Sequence, residues 1–257
     1  MLLAIDVGNT NIALGLYDAE KLVADWRTST HLERTADEVA VELVQLFSLR
    51  GRTLSDVTGV VMASVVPSHN SALVEACRQY LNTEPILVSP DVKTGVRILY
   101  DNPRDVGADR IANALAAYRR YGGPAVVIDF GTAVTYDAIS ADGDYLGGAI
   151  APGVQISLDA LVAHTAKLYR VEAVPPPTVI GRTTVAAIQA GLLWGFVSQV
   201  EGMVRRMKAE LGGSARVVAT GGQAETVSGL TDVIELVDPL LTLEGLRLIY
   251  AQNAAAR

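Results

Sequence analysis

Two short segments of this 257-residue chain combine residue types suited to phosphate and cation chemistry. Asp6-Val7-Gly8-Asn9-Thr10 ends one apolar run and Asp129-Phe130-Gly131-Thr132-Ala133 ends another, with the two aspartates 123 positions apart. An aspartate at the end of a buried strand supplies a hard anionic oxygen for Mg²⁺, for K⁺, or for water around them. The glycine two positions later lets a ligand approach the backbone, and the amides that follow, with the side chains of Asn9, Thr10 and Thr132, form a donor-rich hollow for phosphate oxygens. One such turn is a weak signal, because most are structural. Two of them, on opposing lobes, would make a clamp across a cleft. A third segment, residues 100–110 (YDNPRDVGADR), is dense in polar residues and runs into a helix. Asp109 reads either as a first-turn carboxylate favoured by the helix dipole or as a general base with an anion-binding arginine, Arg110, beside it. Thr220-Gly221-Gly222-Gln223 follows a strand and is either a plain strand-to-helix turn or a seat for a flat base or ribose.

The elements that must position these residues follow from apolar periodicity. Residues 2–5, 12–16 and 21–27 read as three strands separated by polar turns, an antiparallel meander. Thr35-Ala-Asp-Glu38 matches a capping box ahead of helically spaced apolar residues from Val39 to Phe47. A buried strand over 58–66, stopped at Pro67, a helix over 72–81, a short strand over 86–88 and a helix over 109–121 complete the first half. The pattern then restarts: strands over 125–128, 134–139 and 145–150, helices over 155–165 and 183–211, a strand over 215–220 and a helix over 240–252. Laid without gaps on the N-terminus, LAIDVGNTNIALGLYDAEKLVADW matches VVIDFGTAVTYDAISADGDYLGGA. This weak internal duplication predicts two related lobes, residues 1–118 and 119–257.

Composition removes several function classes. The chain carries 21 Lys+Arg against 28 Asp+Glu, a net charge of −7, which argues against a nucleic-acid partner. Its single cysteine, Cys77, excludes a disulfide scaffold, and His31, His69 and His164 show no zinc spacing. The N-terminus lacks a basic leader, and the most apolar stretch, residues 186–197, is too short to span a bilayer, so a cytoplasmic protein with no membrane partner is expected. Neither a P-loop nor a G-x-G-x-x-G fingerprint occurs. The helix from Ala186 to Val200 is apolar nearly all round, as expected of an inter-lobe helix, a dimer face, or both.

The motifs Asp6–Asn11, Gly107–Arg110, Asp129–Thr132, Gly147–Gly153 (GGAIAPG), Ile180–Thr184, Ala219–Gly222 and Asp238–Leu243, in that order and over essentially the whole chain, closely resemble those of type III pantothenate kinases. The resemblance implies an α/β fold of two ribonuclease-H-like lobes, that of the acetate/sugar kinase, Hsp70 and actin superfamily. It implies ATP-dependent phosphorylation of pantothenate, the first step of coenzyme A biosynthesis, by a homodimer that uses Mg²⁺ with ATP and a monovalent cation, K⁺ or NH4⁺. Motif by motif, Asp6, Val7, Gly8, Asn9, Thr10, Asn11, Ile12 and Ala13 would line the ATP phosphates, with Asp6 near magnesium, and Thr132 would touch the nucleotide. Asp129 would hold the monovalent cation. Tyr100, Gly107, Ala108, Asp109, Arg110 and Thr184 would bind pantothenate, with Asp109 as the base. Two departures, Arg182 where the family has lysine and Tyr169 where it has proline, bear on loop geometry. A sugar kinase of the same superfamily and a non-catalytic regulator are the rival readings.

Overall fold

The computed structural model describes residues 1–31, 33–89 and 91–254. It divides into two compact units, Met1–Arg119 together with the chain from Leu240 onward, and Arg120–Pro239. In the first unit β1 (Leu2–Val7), β2 (Asn11–Asp18) and β3 (Lys21–Ser29) form the expected meander. Then come α1 (Ala36–Ser48), β4 (Gly59–Ser64), α2 (Pro67–Tyr80), β5 (Ile86–Leu87) and α3 (Ala108–Tyr121). The sheet order is β3-β2-β1-β4-β5, with β1 antiparallel to β2 and parallel to β4.

β1 and β4 are apolar on both sides because both sides are covered. Leu3, Ile5, Val7, Val60 and Met62 pack with Val39, Leu43 and Phe47 of α1 and Leu73 and Cys77 of α2. Leu2, Ala4, Val61 and Ala63 face Ala108, Ala112 and Leu115 of α3. The capping box forms as the sequence indicates: Glu38 N donates to Thr35 Oγ1 at 3.3 Å and Thr35 N donates to Glu38 Oε2 at 2.8 Å. Trp26 stacks on Phe47 with ring centroids 5.1 Å apart. Cys77 is buried in this core, and burial pushes its thiol up to about 12. α2 starts five residues before its expected start, because Pro67 ends the strand and also opens the helix, where its fixed φ and missing N–H cost nothing.

The second unit repeats the plan. β6 (Ala125–Phe130), β7 (Ala133–Ile139) and β8 (Tyr145–Pro152) form a second meander. They are followed by α4 (Val154–Ala163), α5 (Thr184–Glu210), β9 (Arg216–Gly221), α6 (Ala224–Ser228) and β10 (Leu236–Val237). The order β8-β7-β6-β9-β10 is that of the first sheet, so each unit is a ribonuclease-H-like lobe. The short α6 and β10 carry too little periodicity to be read from sequence. α5 is not buried all round: Leu193, Phe196, Val197, Val200 and Val204 enter the core of this unit, while Ala187, Gly191, Gly195 and Ser198 face outward.

The last helix departs from the sequence-based division at 118/119. α7 (Leu241–Ala254) groups with the first unit, where Leu243, Leu246 and Ile249 pack against Leu2, Ala4 and Val61. Thr242 Oγ1 donates to Asn113 Oδ1 of α3 at 2.8 Å. The face of β1 and β4 turned toward α3 needs a second cover, and the apolar stripe of α7 supplies it. Leu246 is fully buried there, so Leu246→Ala is expected to cost about 2–5 kcal/mol, read as a lower midpoint in urea unfolding.

Candidate active site

Asp6 is the penultimate residue of β1, where it is half-buried, with Ala13 of β2 and Ala63 of β4 as its cross-strand neighbours. The turn after it is held from two sides. Gly8 N donates to Asn11 O at 3.0 Å, Thr30 Oγ1 donates to Gly8 O at 2.7 Å, and Thr30 N donates to Thr10 O at 2.9 Å. The side chains of Asn9, Thr10 and Asn11 remain exposed, Ile12 is buried and Ala13 is half-buried.

The Gly107–Arg110 segment is linked to the end of β1 through Val65. Val65 N donates to Val7 O at 3.0 Å, and Val65 Cγ1 would be 3.7 Å from a Cβ at position 107. Any side chain at 107 would overlap the Asp109 carboxylate, which folds back over the glycine. Asp109 Oδ1 accepts from Arg110 N at 2.8 Å in the first turn of α3. Burial raises the Asp109 carboxyl above the usual carboxylate range, and the hydrogen bond and positive charge of Arg110 offset part of that rise. Ala108 and Arg110 are buried. Tyr100 is 38% exposed, in the loop leading to a 3-10 turn at Pro103–Asp105.

In the second unit Asp129 holds the same place on β6 that Asp6 holds on β1, but its cross-strand neighbours are Thr135 of β7 and Thr220 of β9. Gly221 closes β9 with φ of +89°, and a Cβ there would lie 2.6 Å from both Asp129 Oδ1 and Phe130 O. Only glycine leaves these two oxygens the space they converge on. The turn at Thr132 is braced by Gly131 N donating to Ala133 O and Gly153 N donating to Thr132 O, both 3.1 Å. Thr184 is the exposed first residue of α5, after Thr183, whose Oγ1 accepts from Ala186 N at 3.1 Å.

The donors around Asp129 fit the monovalent cation that the resemblance implies. A carboxylate oxygen and a carbonyl oxygen are hard ligands, and among the described residues no group of three or more His, Cys, Asp or Glu is placed to hold a metal ion. Thr135 and the fully buried Asp137 were not singled out from sequence, and Thr220 was read only as the start of a Gly-Gly turn or nucleoside seat, not as a neighbour of Asp129. Asp137 accepts from Tyr145 Oη at 2.9 Å and from Thr135 Oγ1 at 3.1 Å. Asp238 is likewise buried, accepting from Arg120 Nη1 at 2.5 Å and Tyr121 Oη at 2.9 Å.

Comparison with known proteins gives a consistent result. The family model for type III pantothenate kinase matches residues 2–206. A type III pantothenate kinase from Moorella thermoacetica is 54% identical over 253 residues, covering 98% of this chain and 100% of that protein. Two solved structures share the fold at low identity. A Campylobacter jejuni protein described as a Baf family transcriptional activator superposes with a TM-score of 0.65 at 19% identity, covering 98% of this chain and 99% of the other. A polyphosphate/ATP-glucomannokinase from Arthrobacter superposes with a TM-score of 0.52 at 17% identity, covering 100% and 99%.

The raised Asp109 carboxyl has a thermodynamic signature. A carboxyl whose folded-state pKa lies above its unfolded value binds protons more readily in the native state, so it lowers stability as pH rises through that interval. Asp109→Asn removes this penalty. The variant is expected to gain more unfolding temperature relative to the parent at pH 7.5 than at pH 4, measured by circular dichroism. An equal difference at both pH values would contradict the raised carboxyl.

Proposed function

The chain belongs to the type III pantothenate kinase family, enzymes that phosphorylate pantothenate in coenzyme A biosynthesis, and from that membership we propose that ATP is the phosphoryl donor and Asp109 the general base. The observation that carries this reading is the partly buried Asp109 carboxyl, raised by burial and folded over Gly107, which shares Val65 as a neighbour with the end of β1. A carboxylate in that state can take a proton late in phosphoryl transfer, when the attacking hydroxyl becomes acidic.

In the proposed reaction the primary hydroxyl of pantothenate attacks the γ-phosphorus. The bond from that phosphorus to the β,γ-bridging oxygen breaks, ADP leaves, and the hydroxyl proton passes to Asp109. Residues 6–13 offer backbone N–H groups and the side chains of Asn9, Thr10 and Asn11 to the phosphates, and Thr132 is assigned to the nucleotide. Asp6 would hold the magnesium of MgATP and Asp129 the K⁺ or NH4⁺; both ions neutralise phosphate charge when bound. Tyr100, Gly107, Ala108, Arg110 and Thr184 are assigned to pantothenate, with Arg110 suited to its carboxylate. The turn after β1 contains no lysine, so ATP binding in the absence of pantothenate is expected to be weak.

The homodimer belongs to the same proposal. β8 is an edge strand without a charged residue over Tyr145–Pro152, and it exposes Leu146 and Ile150. Natural edges of this kind are normally blunted by charge or covered. Val179 and Ile180 are also exposed, beside the outward row of small residues on α5. The reading places the enzyme in the cytoplasm; no helix among the described residues is long and apolar enough to cross a membrane.

An ADP-release assay across pantothenate, hexoses, N-acetylhexosamines and glycerate, with and without K⁺, tests the proposal. Turnover is expected on pantothenate alone and only with the cation. Asp109→Asn should lower kcat by roughly 10²–10⁴-fold, the range a positioned general base contributes. Turnover on a sugar but not on pantothenate would overturn the substrate, and full activity in Asp109→Asn would overturn the base.

A further inference from the structure

The two lobes carry the same aspartate on the same strand, and the residues beside it differ. Asp6 lies between Ala13 and Ala63, whereas Asp129 lies between Thr135 and Thr220. Cross-strand partners share a face of the sheet, so both hydroxyls stand on the Asp129 face. That face is opposite the one on which Ile128, Phe130 and Tyr136 pack against α5. Thr220 is buried, 2% exposed. The second lobe therefore has a row of oxygens, Thr135, Asp129 and Thr220, where the first has methyl groups on either side of its carboxylate.

Thr135 is constrained further. Its hydroxyl has one proton, and that proton is directed to Asp137 Oδ2. Asp137 is itself fixed by Tyr145 Oη on its other oxygen, at a position with no exposure. With its proton committed, Thr135 can offer only lone pairs to anything else near it. Lone pairs of a hydroxyl beside a carboxylate are poorly matched to each other and well matched to a cation. Phe130 O converges with Asp129 Oδ1 over Gly221 and adds another oxygen of the same type.

We propose that Thr135 and Thr220 complete the monovalent-cation seat at Asp129, and that Asp137 is a positioning residue, holding Thr135 so that its lone pairs serve that seat. This rests on the reading of Asp129 as the cation residue. Asp137 contributes no ligand; it fixes the orientation of one, as partners outside the ligand shell do at other metal sites. The all-oxygen set of one carboxylate, one carbonyl and two hydroxyls carries a single negative charge, which suits a monovalent ion.

The test is the unfolding temperature followed by circular dichroism while KCl replaces choline chloride at fixed ionic strength, with MgADP present. The parent is expected to show a saturable rise. Thr135→Val, which keeps the shape and removes the oxygen, and Asp137→Asn should each raise the half-saturating K⁺ concentration by about tenfold or more, the size of effect seen when the partners of metal ligands are altered. Thr135→Ser, which keeps the hydroxyl, should stay within about twofold of the parent, and Asp129→Asn should lose the rise. A network that only supports folding would lower the unfolding temperature without moving the half-saturation point. If Thr135→Val titrates like the parent while Asp129→Asn does not, the positioning inference fails and the Asp129 reading stands. Should Asp129→Asn also titrate like the parent, or the parent show no rise, the Asp129 reading fails and the inference with it. Thr135→Val decides the matter if Asp137→Asn does not fold.

Discussion

Each lobe depends on placing one carboxylate at the end of a strand that is otherwise closed to water. β1 and β6 have the same burial pattern, buried at every position except the penultimate, where Asp6 and Asp129 stand half-exposed. A charge deeper in either strand would pay the full cost of desolvation, and one placed beyond the turn would lose its fixed direction. The carboxyl end of the central strand, flanked by parallel β4 or β9, satisfies both demands. The layers built around each sheet keep that strand covered while leaving its penultimate residue partly accessible.

The two ends are equipped for different work. The first lobe backs its aspartate with alanines and a turn that exposes three polar side chains, Asn9, Thr10 and Asn11, and joins Gly107, under the Asp109 carboxylate, to the end of β1 through Val65. Burial raises the Asp109 carboxyl, and the hydrogen bond and charge of Arg110 offset part of that rise. The second lobe surrounds its aspartate with hydroxyl and carbonyl oxygens and secures one hydroxyl through a fully buried carboxylate. A duplicated architecture has thus diverged at single positions beside a shared carboxylate. A pantothenate kinase of net charge −7 needs such local sites, since its overall field repels an anionic substrate.

Much of this was legible from local pattern. The meanders, the capping box at Thr35, both aspartate turns and the helix behind Asp109 all reflect spacing within ten or so residues, which local sterics and hydrogen bonding govern, and the duplication shows as a repeat of such a local pattern 123 positions on. The motif order alone indicated the family, which the 54% identical relative and the family model bear out. The raised Asp109 carboxyl was only half legible. A first-turn aspartate is visible in sequence, but its burial against Gly107 is not.

The features that sequence could not supply are those set by pairing between distant segments. α7 follows the second lobe in the chain yet covers the first sheet, because an apolar stripe goes to whichever face lacks a cover, and chain order does not record which face that is. The place of Thr135 beside Asp129 was hidden by register. Four residues separate the paired ends of β1 and β2, but only three separate those of β6 and β7. An ungapped match of the two halves therefore sets Ala13 against Tyr136, and in a strand a shift of one residue exchanges the faces. The sequence by itself determined the elements, the two aspartate turns and the family. Tertiary structure decided which residues stand beside each carboxylate, because strand register and burial are settled only when distant parts of the chain pack together.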